Sequence, residues 1–433
     1  MTTANYQARC SAIHLLRNGV TPQQVSASLG RSVSWVYKWR ARYERGGWAA
    51  LHDQSRAPKE PARRISESIK RRIREVRSEL EAEAHQPGKL NYIGARAIRS
   101  RLQQEQVDPL PSISSIEREL RAAGLVRPHA PAEPPKVAYP RLRPTLPHKL
   151  VQVDIVPHYL PGGQCVSCFN ALDVVSRYPT GQAFAHKRSD DAMQFLLQVW
   201  RELGVPTYTQ LDNESCFSGG FTHPYVLGRV LRLGLWVGTQ LVYSPFYHPE
   251  SNGYVERFHQ DYNQHVWDKC FLPDLTAVQQ QSPAFFAAYR QSGHHAALKG
   301  RTPAVLHQAR PQRHFPDDVQ LPTTLPLTVG KVHFIRRVDN THSIRILNVD
   351  WHVPRAHPDQ GVWATLELTL TQATLKIFDA APGMARRRCL GHHPFPLKEA
   401  VQPLQAQFQL SLQMRTFVGN LITRSAQWFS TML

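Results

Sequence analysis

The sequence lacks the features typical of membrane proteins and of disulfide-rich secreted proteins. The 433-residue chain has no uncharged apolar run of about 18 residues, so no membrane-spanning helix is predicted. No apolar stretch follows a basic start, so no secretory signal is expected. The six cysteines are scattered from Cys10 to Cys389, which argues against a disulfide scaffold and for a reducing compartment. We therefore expect a cytoplasmic protein.

Acidic residues are also scarce. The chain has 33 Asp and Glu against 52 Lys and Arg, a net charge of +19. Residues 1–150 carry +14, residues 151–300 carry −2 and residues 301–433 carry +7. Two basic ends around a near-neutral middle favour a polyanionic partner, and nucleic acid is the main candidate because Lys and Arg bind its phosphates. Biased composition is the alternative, since 40 Arg stand against 12 Lys.

The length and the prolines predict several domains. A chain of this size exceeds one ordinary hydrophobic core. Residues 127–149 contain seven prolines, which neither a helix nor a central strand tolerates, so an extended linker is predicted there. The expected parts are two helical modules (1–60 and 61–126), the linker (127–144), a central α/β domain (145–310), a small β-barrel (327–380) and a tail of unassigned role (381–433).

The N-terminal part has the pattern of a helix-turn-helix. Thr21-Pro22 predicts a helix start and Gly30 its end, while Ser32 predicts the cap of a second helix that stops at Gly46. Two short helices around a tight turn, with basic residues on the second, fit a DNA-reading module, although helical bundles also contain this pattern. The residues expected to face DNA are Ser34, Lys38, Arg40 and Arg42.

A second helical module follows. Residues 63–83 predict a basic amphipathic helix, and Ser114 with Glu117 predicts a capping box ahead of a recognition helix at 115–123. Arg71 and Arg72 are the DNA-contacting candidates, against the alternative that they lie on a solvated charged face. A tandem of two such modules would read a long DNA site.

The middle of the chain places three carboxylates near predicted strand ends. Asp154 ends the strand LVQVD, Asp212 ends the strand of TYTQLDN, and Glu256 lies in the helix NGYVERFHQDYNQHVW. Carboxylates clustered without basic partners repel each other, so their clustering requires a cation. Oxygen ligands suit Mg²⁺ or Mn²⁺, and two such ions support phosphoryl transfer. A chance arrangement is the alternative, because a chain of this length has many carboxylates.

Several segments together resemble one protein family. SPFYHPESNGYVERFHQDYN at residues 244–263 resembles the loop and helix that carry the catalytic Glu of retroviral-integrase-type DDE transposases. VQVDIV and LDNESCFSG resemble the segments with the family's two Asp residues. LDVVSRYPTGQAF, with its Asp-x-x-Ser-Arg stretch, and GRTPAVLHQAR at residues 300–310 resemble two further segments. The resemblance covers residues 145–310, and the preceding helix-turn-helix pair resembles bacterial insertion-sequence transposases.

The resemblance implies a fold and a chemistry. It implies a multidomain α/β protein with a ribonuclease-H-like catalytic core that cuts and joins DNA. It implies that Asp154, Asp212 and Glu256 are catalytic and hold two Mg²⁺ or Mn²⁺ ions. Double-stranded DNA is the implied partner, a homo-multimer the implied assembly, and the bacterial cytoplasm, on the nucleoid, the implied location. Asn252, Arg257 and His259 flank the Glu and either touch DNA or order the loop.

The sequence departs from the family around the Glu. The 43 residues between Asp212 and Glu256 exceed the family's usual spacing, and we attribute the excess to a surface insertion within residues 217–231. Glu250 gives a shorter spacing, but Glu256 is preferred because it stands in the helix and in the Asn-Gly-x-x-Glu-Arg match. SGHHAALKG replaces the usual segment ahead of Thr302-Pro303.

The C-terminal part predicts strands. Residues 327–380 alternate apolar and polar residues, which predicts a small barrel of the kind found in the same transposases. Arg336 and Arg337 are expected to grip phosphate without reading sequence. Cys165 and Cys168 have a metal-like spacing, but residues three apart on a strand point to opposite faces, so zinc is not expected.

The pattern as a whole favours a DNA transposase of the integrase type. Two alternatives stay open at this point. One is a DNA-binding regulator that keeps the fold without catalysis, and the other is a ribonuclease-H-like nuclease that cuts without joining.

Overall fold

The computed structural model describes residues 2–53, 65–86, 90, 92–126, 137–219, 223–291, 295–316 and 319–409. They form two compact units, one ending at Ser66 and the other starting at Glu67. The first half of the predicted linker, residues 127–136, and the tail beyond residue 409 lie outside the described residues.

The first unit is helical, as expected. It contains α1 (Thr2–Arg17), α2 (Pro22–Leu29) and α3 (Val33–Gly46). Thr21 caps α2 in a reciprocal capping box with Gln24, and the Ser32 side chain accepts a hydrogen bond from the Trp35 backbone to cap α3. Val25 and Val36 are buried between the helices. The predicted boundaries of the two helices are therefore confirmed.

The second unit begins with three more helices. They are α4 (Glu67–Ala84), α5 (Ala95–Gln104) and α6 (Ile113–Ala122). Ile73, Ile98 and Ile116 are fully buried. The expected cap at Ser114 is wrong, because the helix starts earlier and Ser112 accepts the bond from the Ser115 backbone at 3.2 Å.

A mixed sheet forms the centre of the second unit. Nine strands lie side by side in the order β11-β10-β9-β6-β5-β4-β1-β2-β3. A separate hairpin pairs β7 with β8. The strands are β1 (Leu150–Tyr159), β2 (Cys165–Asp173), β3 (Pro179–Phe184), β4 (Tyr208–Leu211), β5 (Gln240–Tyr243), β6 (Gly330–Arg337), β7 (Ser343–Ile346), β8 (Val349–His352), β9 (Gly361–Leu368), β10 (Ala373–Phe378) and β11 (Cys389–Phe395).

The C-terminal strands do not form the expected barrel in the described residues. β6 pairs in parallel with β5 and antiparallel with β9, so the C-terminal strands extend the central sheet. β11 pairs with β10 alone and ends the sheet. The alternating pattern predicted the strands but not their partners, because the period of two fixes which face a residue takes and not which edge the strand joins.

Helices cover both faces of the sheet. On one face, α7 (Ser189–Leu203) buries Phe195 and Trp200 against Val151 and Val153 of β1. On the other face, α10 (Gly253–Tyr262) and α11 (Leu275–Gln291) pack against β2 and β3. The remaining helices are α8 (Ser215–Ser218), α9 (Arg229–Val237) and α12 (Pro303–Gln308). Among the described residues, no helix is both long and apolar enough to cross a bilayer.

The described residues of the expected surface insertion at 217–231 are divided between the core and the surface. Phe217 and Val230 are buried in the main core, and α9 contributes much of its own length to that core. Gly219 and Gly228 lie back to back, and a Cβ on Gly219 would stand 3.0 Å from the Gly228 Cα. The two glycines let the loop close tightly, and between them Leu227 is buried while Val226 stays exposed.

Candidate active site

Two parallel strands bring the predicted Asp residues to one place. β1 and β4 are hydrogen-bonded neighbours, with Gln152 opposite Gln210. Asp154 lies two residues beyond Gln152, and Asp212 lies two residues beyond Gln210. Because side chains on a strand repeat every two residues, the face that carries the two Gln side chains also carries Asp154. This is the face that α10 covers.

A network of buried amides fixes the start of α10 on this face. Gln152 Nε2 and Gln210 Nε2 each donate to the Ser251 carbonyl at 2.9 Å. Gln152 Oε1 accepts from the backbone N–H groups of Tyr254 and Val255 at 3.2 and 3.4 Å. These are N–H groups of the first helical turn, which have no partner inside the helix. The Gln pair therefore ties the helix to the two strands that carry Asp154 and Asp212.

Asn252 completes the same network. Its Oδ1 accepts from Gln210 Nε2 and from Ser244 Oγ, both at 3.0 Å. The residue is buried, with 5% of its surface exposed. Of the two roles considered for Asn252, the structure agrees with ordering the loop ahead of Glu256 and not with a DNA contact, because the side-chain oxygen is used inside the protein.

Burial and neighbouring negative charges raise the pKa of each of the three carboxyls. Burial is the main cause for Asp154, whose pKa rises to about 7, and the charge of Asp212 adds to it. The charges of Glu256 and Glu214 act on Asp154 in the same direction. Burial also raises the pKa of Asp212 to about 6 and that of Glu256, where Glu250 contributes. Such a cluster is stabilised by a bound cation.

Glu214 is a fourth carboxylate that the sequence analysis missed. Its charge contributes to the raised pKa values of both Asp154 and Asp212. Its backbone N–H donates to Asp212 Oδ1 at 3.1 Å, and its carboxylate pairs with Lys187 Nζ at 3.0 Å. The only sequence feature that could have pointed to Glu214 was its position two residues after Asp212.

His259 lies against the same site from the next turn of α10. Its Nδ1 is 3.7 Å from Asp154 Oδ2, and the side chain is buried. Burial lowers the pKa of His259 to about 4. The ring is therefore neutral near pH 7 and does not compensate the charge of Asp154. Of the two roles considered for His259, the ordering role agrees with this burial.

The structure also corrects the prediction that Arg336 contacts DNA. We expected it to grip phosphate, but it is buried and donates to the Ser244 carbonyl at 3.1 Å and to Asn213 Oδ1 at 3.0 Å. Burial lowers its pKa to about 9. Because Asn213 follows Asp212 directly, Arg336 links strand β6 to the loop that carries this carboxylate.

The other predicted DNA contacts lie at or near the surface of their units. On α3, Arg40 pairs with Glu44 at 2.8 Å, and Arg42 lies 4.8 Å from the Trp39 ring. Ion pairs also engage Arg71 (with Glu75), Arg72 (with Glu75, Glu79 and Glu105), Arg257 (with Asp261) and Arg337 (with Asp359). Ser34 and Lys38 are exposed on α3.

A buried His-Asp-His group lies at the opposite end of β1. Ligand atoms of His148, Asp173 and His307 lie within 4.8 Å of one another. Asp173 Oδ1 accepts from the backbone and hydroxyl of Ser176, and Asp173 Oδ2 accepts from the His148 backbone at 2.7 Å. The His148 ring nitrogens face the carbonyls of Leu203 and His307. The Asp173 and His148 atoms are occupied within the protein, whereas His307 Nε2 is buried without a hydrogen-bond partner among the described residues. We interpret the group as a structural network because of the occupied Asp173 and His148 atoms.

Cys165 and Cys168 lie on strand β2, where residues three apart are expected to point to opposite faces. Cys165 is exposed and Cys168 is buried, so the two side chains of β2 do not converge. Within the described residues, neither thiol belongs to a metal-ligating group.

Comparison with known families agrees with this arrangement. Residues 9–70 match the family described as Winged helix-turn helix, and residues 237–303 match the Integrase core domain family. The second match contains the amide-bonded loop and the helix with Glu256. The two matches confirm the resemblance to integrase-type transposases: the chain carries a DNA-binding helix-turn-helix and an α/β core of the integrase type.

Solved structures of retroviral integrases are similar to this chain at low sequence identity. One is a chain of the simian T-cell lymphotropic virus intasome in complex with PP2A regulatory subunit B56 gamma. It is 16% identical with a TM-score of 0.33, and the match covers 75% of this chain and 99% of that chain. The HTLV-2 integrase catalytic core domain in complex with magnesium is 18% identical, with a TM-score of 0.29. This match covers 38% of this chain and 99% of that chain. The BIV integrase catalytic core domain is 18% identical, with a TM-score of 0.29, and the match covers 37% of this chain and 95% of that chain.

Proposed function

We propose that this protein is a DNA transposase of the integrase type. It binds the ends of its mobile element and catalyses metal-dependent DNA cleavage and strand transfer. The observation that carries the proposal is that β1, which contains Asp154, pairs with β4, which precedes Asp212, and packs against the helix that carries Glu256 in the integrase-core match. The helix-turn-helix match supplies the DNA-binding part.

The donor set at the site fits hard divalent cations. All three side chains offer carboxylate oxygens, which suit Mg²⁺ or Mn²⁺ and not Zn²⁺. The charges of both Asp212 and Glu256 act on Asp154, and in our proposal the three carboxylates together would hold two ions. Bound ions would activate the attacking oxygen and stabilise the leaving oxygen.

Two in-line displacements make up the proposed reaction. Water first attacks a phosphodiester at the element end: a new P–O bond forms, the P–O3′ bond breaks, and the strand keeps a 3′-hydroxyl. That hydroxyl then attacks a phosphodiester of target DNA and displaces the 3′-oxygen of the target strand. Each step forms one P–O bond and breaks another, so no covalent protein intermediate and no nucleotide cofactor is needed.

The proposed partners follow from the reaction. Joining two element ends requires at least two subunits, so we propose a homo-multimer assembled on double-stranded DNA. Ser34, Lys38, Arg40 and Arg42 of α3, with Arg71, Arg72, Arg257 and Arg337, are the proposed DNA-contacting residues. We place the reaction in the bacterial cytoplasm, on the nucleoid.

A strand-transfer assay tests the function. The substrate is labelled duplex from the inverted repeats that flank the gene, with Mg²⁺ or Mn²⁺ and a target plasmid. Joined products are expected from the wild-type chain. Nicked ends without joined products would select a nuclease, and tight binding without either product would select a DNA-binding regulator.

DNA binding by the wild-type chain is expected to weaken steeply with salt. The net charge of +19 favours many phosphate contacts, and each contact steepens the plot of log K against log salt by about 0.9. A slope of about −5 or steeper is expected from fluorescence anisotropy between 50 and 300 mM salt, roughly the range over which such contacts are resolved. A flat plot would contradict the proposal that the basic ends bind DNA.

Gln152→Leu is expected to slow strand joining by about 10-fold to 100-fold. The change removes the acceptor of two helix N–H groups and one of the two donors to the Ser251 carbonyl, at a cost of about 1–3 kcal/mol. The helix with Glu256 is expected to shift on the sheet as a result. The measurement is the single-turnover joining rate together with DNA affinity, which is expected to stay unchanged.

Gln182→Leu is the matched control. Gln182 is half-buried on β3, and its side chain makes no hydrogen bond among the described residues. This variant is expected to join strands at the wild-type rate. Equal rates for both variants and the wild type would show that the amide network does not position Glu256.

A further inference from the structure

A groove lies along the start of α10, and the mechanism above makes no use of it. Its volume is about 640 Å³, and it runs between residues 139–145 and the turn that follows β2. We propose that this groove binds the phosphodiester backbone of one DNA strand next to the carboxylates. The proposal rests on the proposed function and adds the place where the substrate backbone lies.

The lining of the groove is strongly cationic. Arg141, Arg143 and Arg177 line it, and Glu250 is the carboxylate among its lining residues. Within the described part of the chain, no carboxylate oxygen lies within ion-pairing distance of these three guanidinium groups. Three arginines that no acidic side chain neutralises favour an anionic occupant, and planar guanidinium groups match phosphate oxygens well.

The spacing of two of the arginines fits a polymer rather than a small anion. Exposure alternates from Arg141 to Thr145, with Leu142 packed inward beside Tyr139. The alternation is that of an extended chain, so Arg141 and Arg143 lie on the same side, about 6.6 Å apart. Two nucleotides along one DNA strand rise by about 6.8 Å. The arginines therefore form a row along the groove instead of converging on one point.

Arg177 is held in place before any ligand arrives. It ends the Asp-x-x-Ser-Arg stretch, in which Asp173 Oδ1 accepts from the backbone N–H groups of Val175 and Ser176 at 3.0 and 2.7 Å. Its guanidinium lies 4.0 Å from the ring centroid of Tyr254, and its φ is +61°. A side chain fixed by a turn and by a cation–π contact loses little freedom on binding.

The groove reaches the site through the amide network. Gln152, Gln210 and Ser251 line the groove, and the same residues tie α10 to the sheet. Tyr254 lines it as well, and Glu256 follows two residues later in the same helix. A DNA strand that lies across the arginines therefore passes beside the start of the helix that carries the proposed catalytic Glu.

The test compares the salt dependence of DNA binding for variants of the full chain. R141A/R143A/R177A is measured with a labelled 40-base-pair duplex by anisotropy at several salt concentrations. With about 0.9 unit of slope per phosphate contact, the triple variant is expected to bind with a slope less steep by two to three units. R141A/R143A leaves the turn and the Tyr254 contact intact, and its expected change is about two units, so the test does not depend on Arg177 variants folding.

A variant with the same change of charge is the control. Arg201, Arg310 and Arg386 are exposed and do not line the groove. R201A/R310A/R386A is expected to keep the wild-type slope to within about one unit, since the loss of a phosphate contact is local. Equal slopes for the groove variant and this control would overturn the proposal.

The outcomes separate this proposal from the proposed function. The slope needs no catalysis, so a wild-type chain that binds DNA steeply but joins no strands removes the transposase proposal and leaves the groove test intact. A groove variant that binds DNA like the wild type but loses multimer formation in sedimentation would assign the groove to an acidic protein partner, and would overturn our proposal.

Discussion

Asp154→Asn, Asp212→Asn and Glu256→Gln are each expected to lower strand joining by about 1000-fold or more while DNA binding is retained. Each change removes one anionic oxygen from the proposed ion-binding group and keeps the size of the side chain. The loss of charge stabilisation at the reacting phosphate is expected to cost about 4 kcal/mol, which corresponds to this factor in rate. The measurement is joined product per unit time in Mg²⁺, with anisotropy for binding.

Glu250→Gln is the matched control for the third variant. Glu250 lies in the loop ahead of α10 with its side chain about half exposed, and its charge acts on Glu256 from outside the group. Its variant is expected to keep activity within a few-fold of the wild type. If Glu250→Gln abolished strand joining and Glu256→Gln did not, our assignment of Glu256 as the catalytic Glu would be wrong.

Asp154→Asn is also expected to make the metal-free protein more stable at pH 8. The pKa of Asp154 is about 7 in the folded chain against an ordinary 3.8, so the folded state binds a proton more readily than the unfolded state. Stability is therefore lost as the pH rises from about 4 through 7, and above pH 7 the full cost is present. One pKa unit corresponds to about 1.4 kcal/mol, so the cost is on the order of 4 kcal/mol.

Thermal unfolding in EDTA checks this expectation. The variant is expected to melt several degrees above the wild type at pH 8, with the difference shrinking as the pH falls and vanishing near pH 4. Mg²⁺ is expected to raise the melting temperature of the wild type at pH 8 and to have less effect on the variant. Asp190→Asn, an exposed change on α7, serves as control. A variant that melts below the wild type at pH 8 would contradict the repulsion we describe.

Local rules explain why part of this protein was readable from sequence. Helix caps depend on residues a few positions apart, so Thr21 and Ser32 predicted the starts of α2 and α3. Short apolar runs predicted a strand at Asp154 and one before Asp212, but the first does not end at Asp154 as predicted, because β1 continues to Tyr159. That the two strands are neighbours followed only from the family resemblance, because pairing between β1 and β4 joins residues 58 positions apart in the chain, as in the bond between Gln152 and Gln210.

Other features depended on contacts that a sequence pattern does not contain. Asn252 flanks Glu256 in the sequence and Arg336 lies in the predicted C-terminal barrel, which made them candidates for DNA contact. Both are interior because distant segments supply partners there: Gln210 for Asn252, and Ser244 and Asn213 for Arg336. The C-terminal strands were predicted as strands, but their period could not show that β6 would pair with β5.

The pairing of β6 with β5 has a consequence for how this protein can be divided. A fragment that ended near residue 310 would lose β6, and the backbone N–H and C=O groups along β5 would become an open edge. Open edges recruit other chains and promote aggregation. The same cut would remove Arg336 and free the loop after Asp212. The α/β core and the C-terminal strands thus belong to one compact unit, which neither recombination between relatives nor truncation could divide at that position without loss.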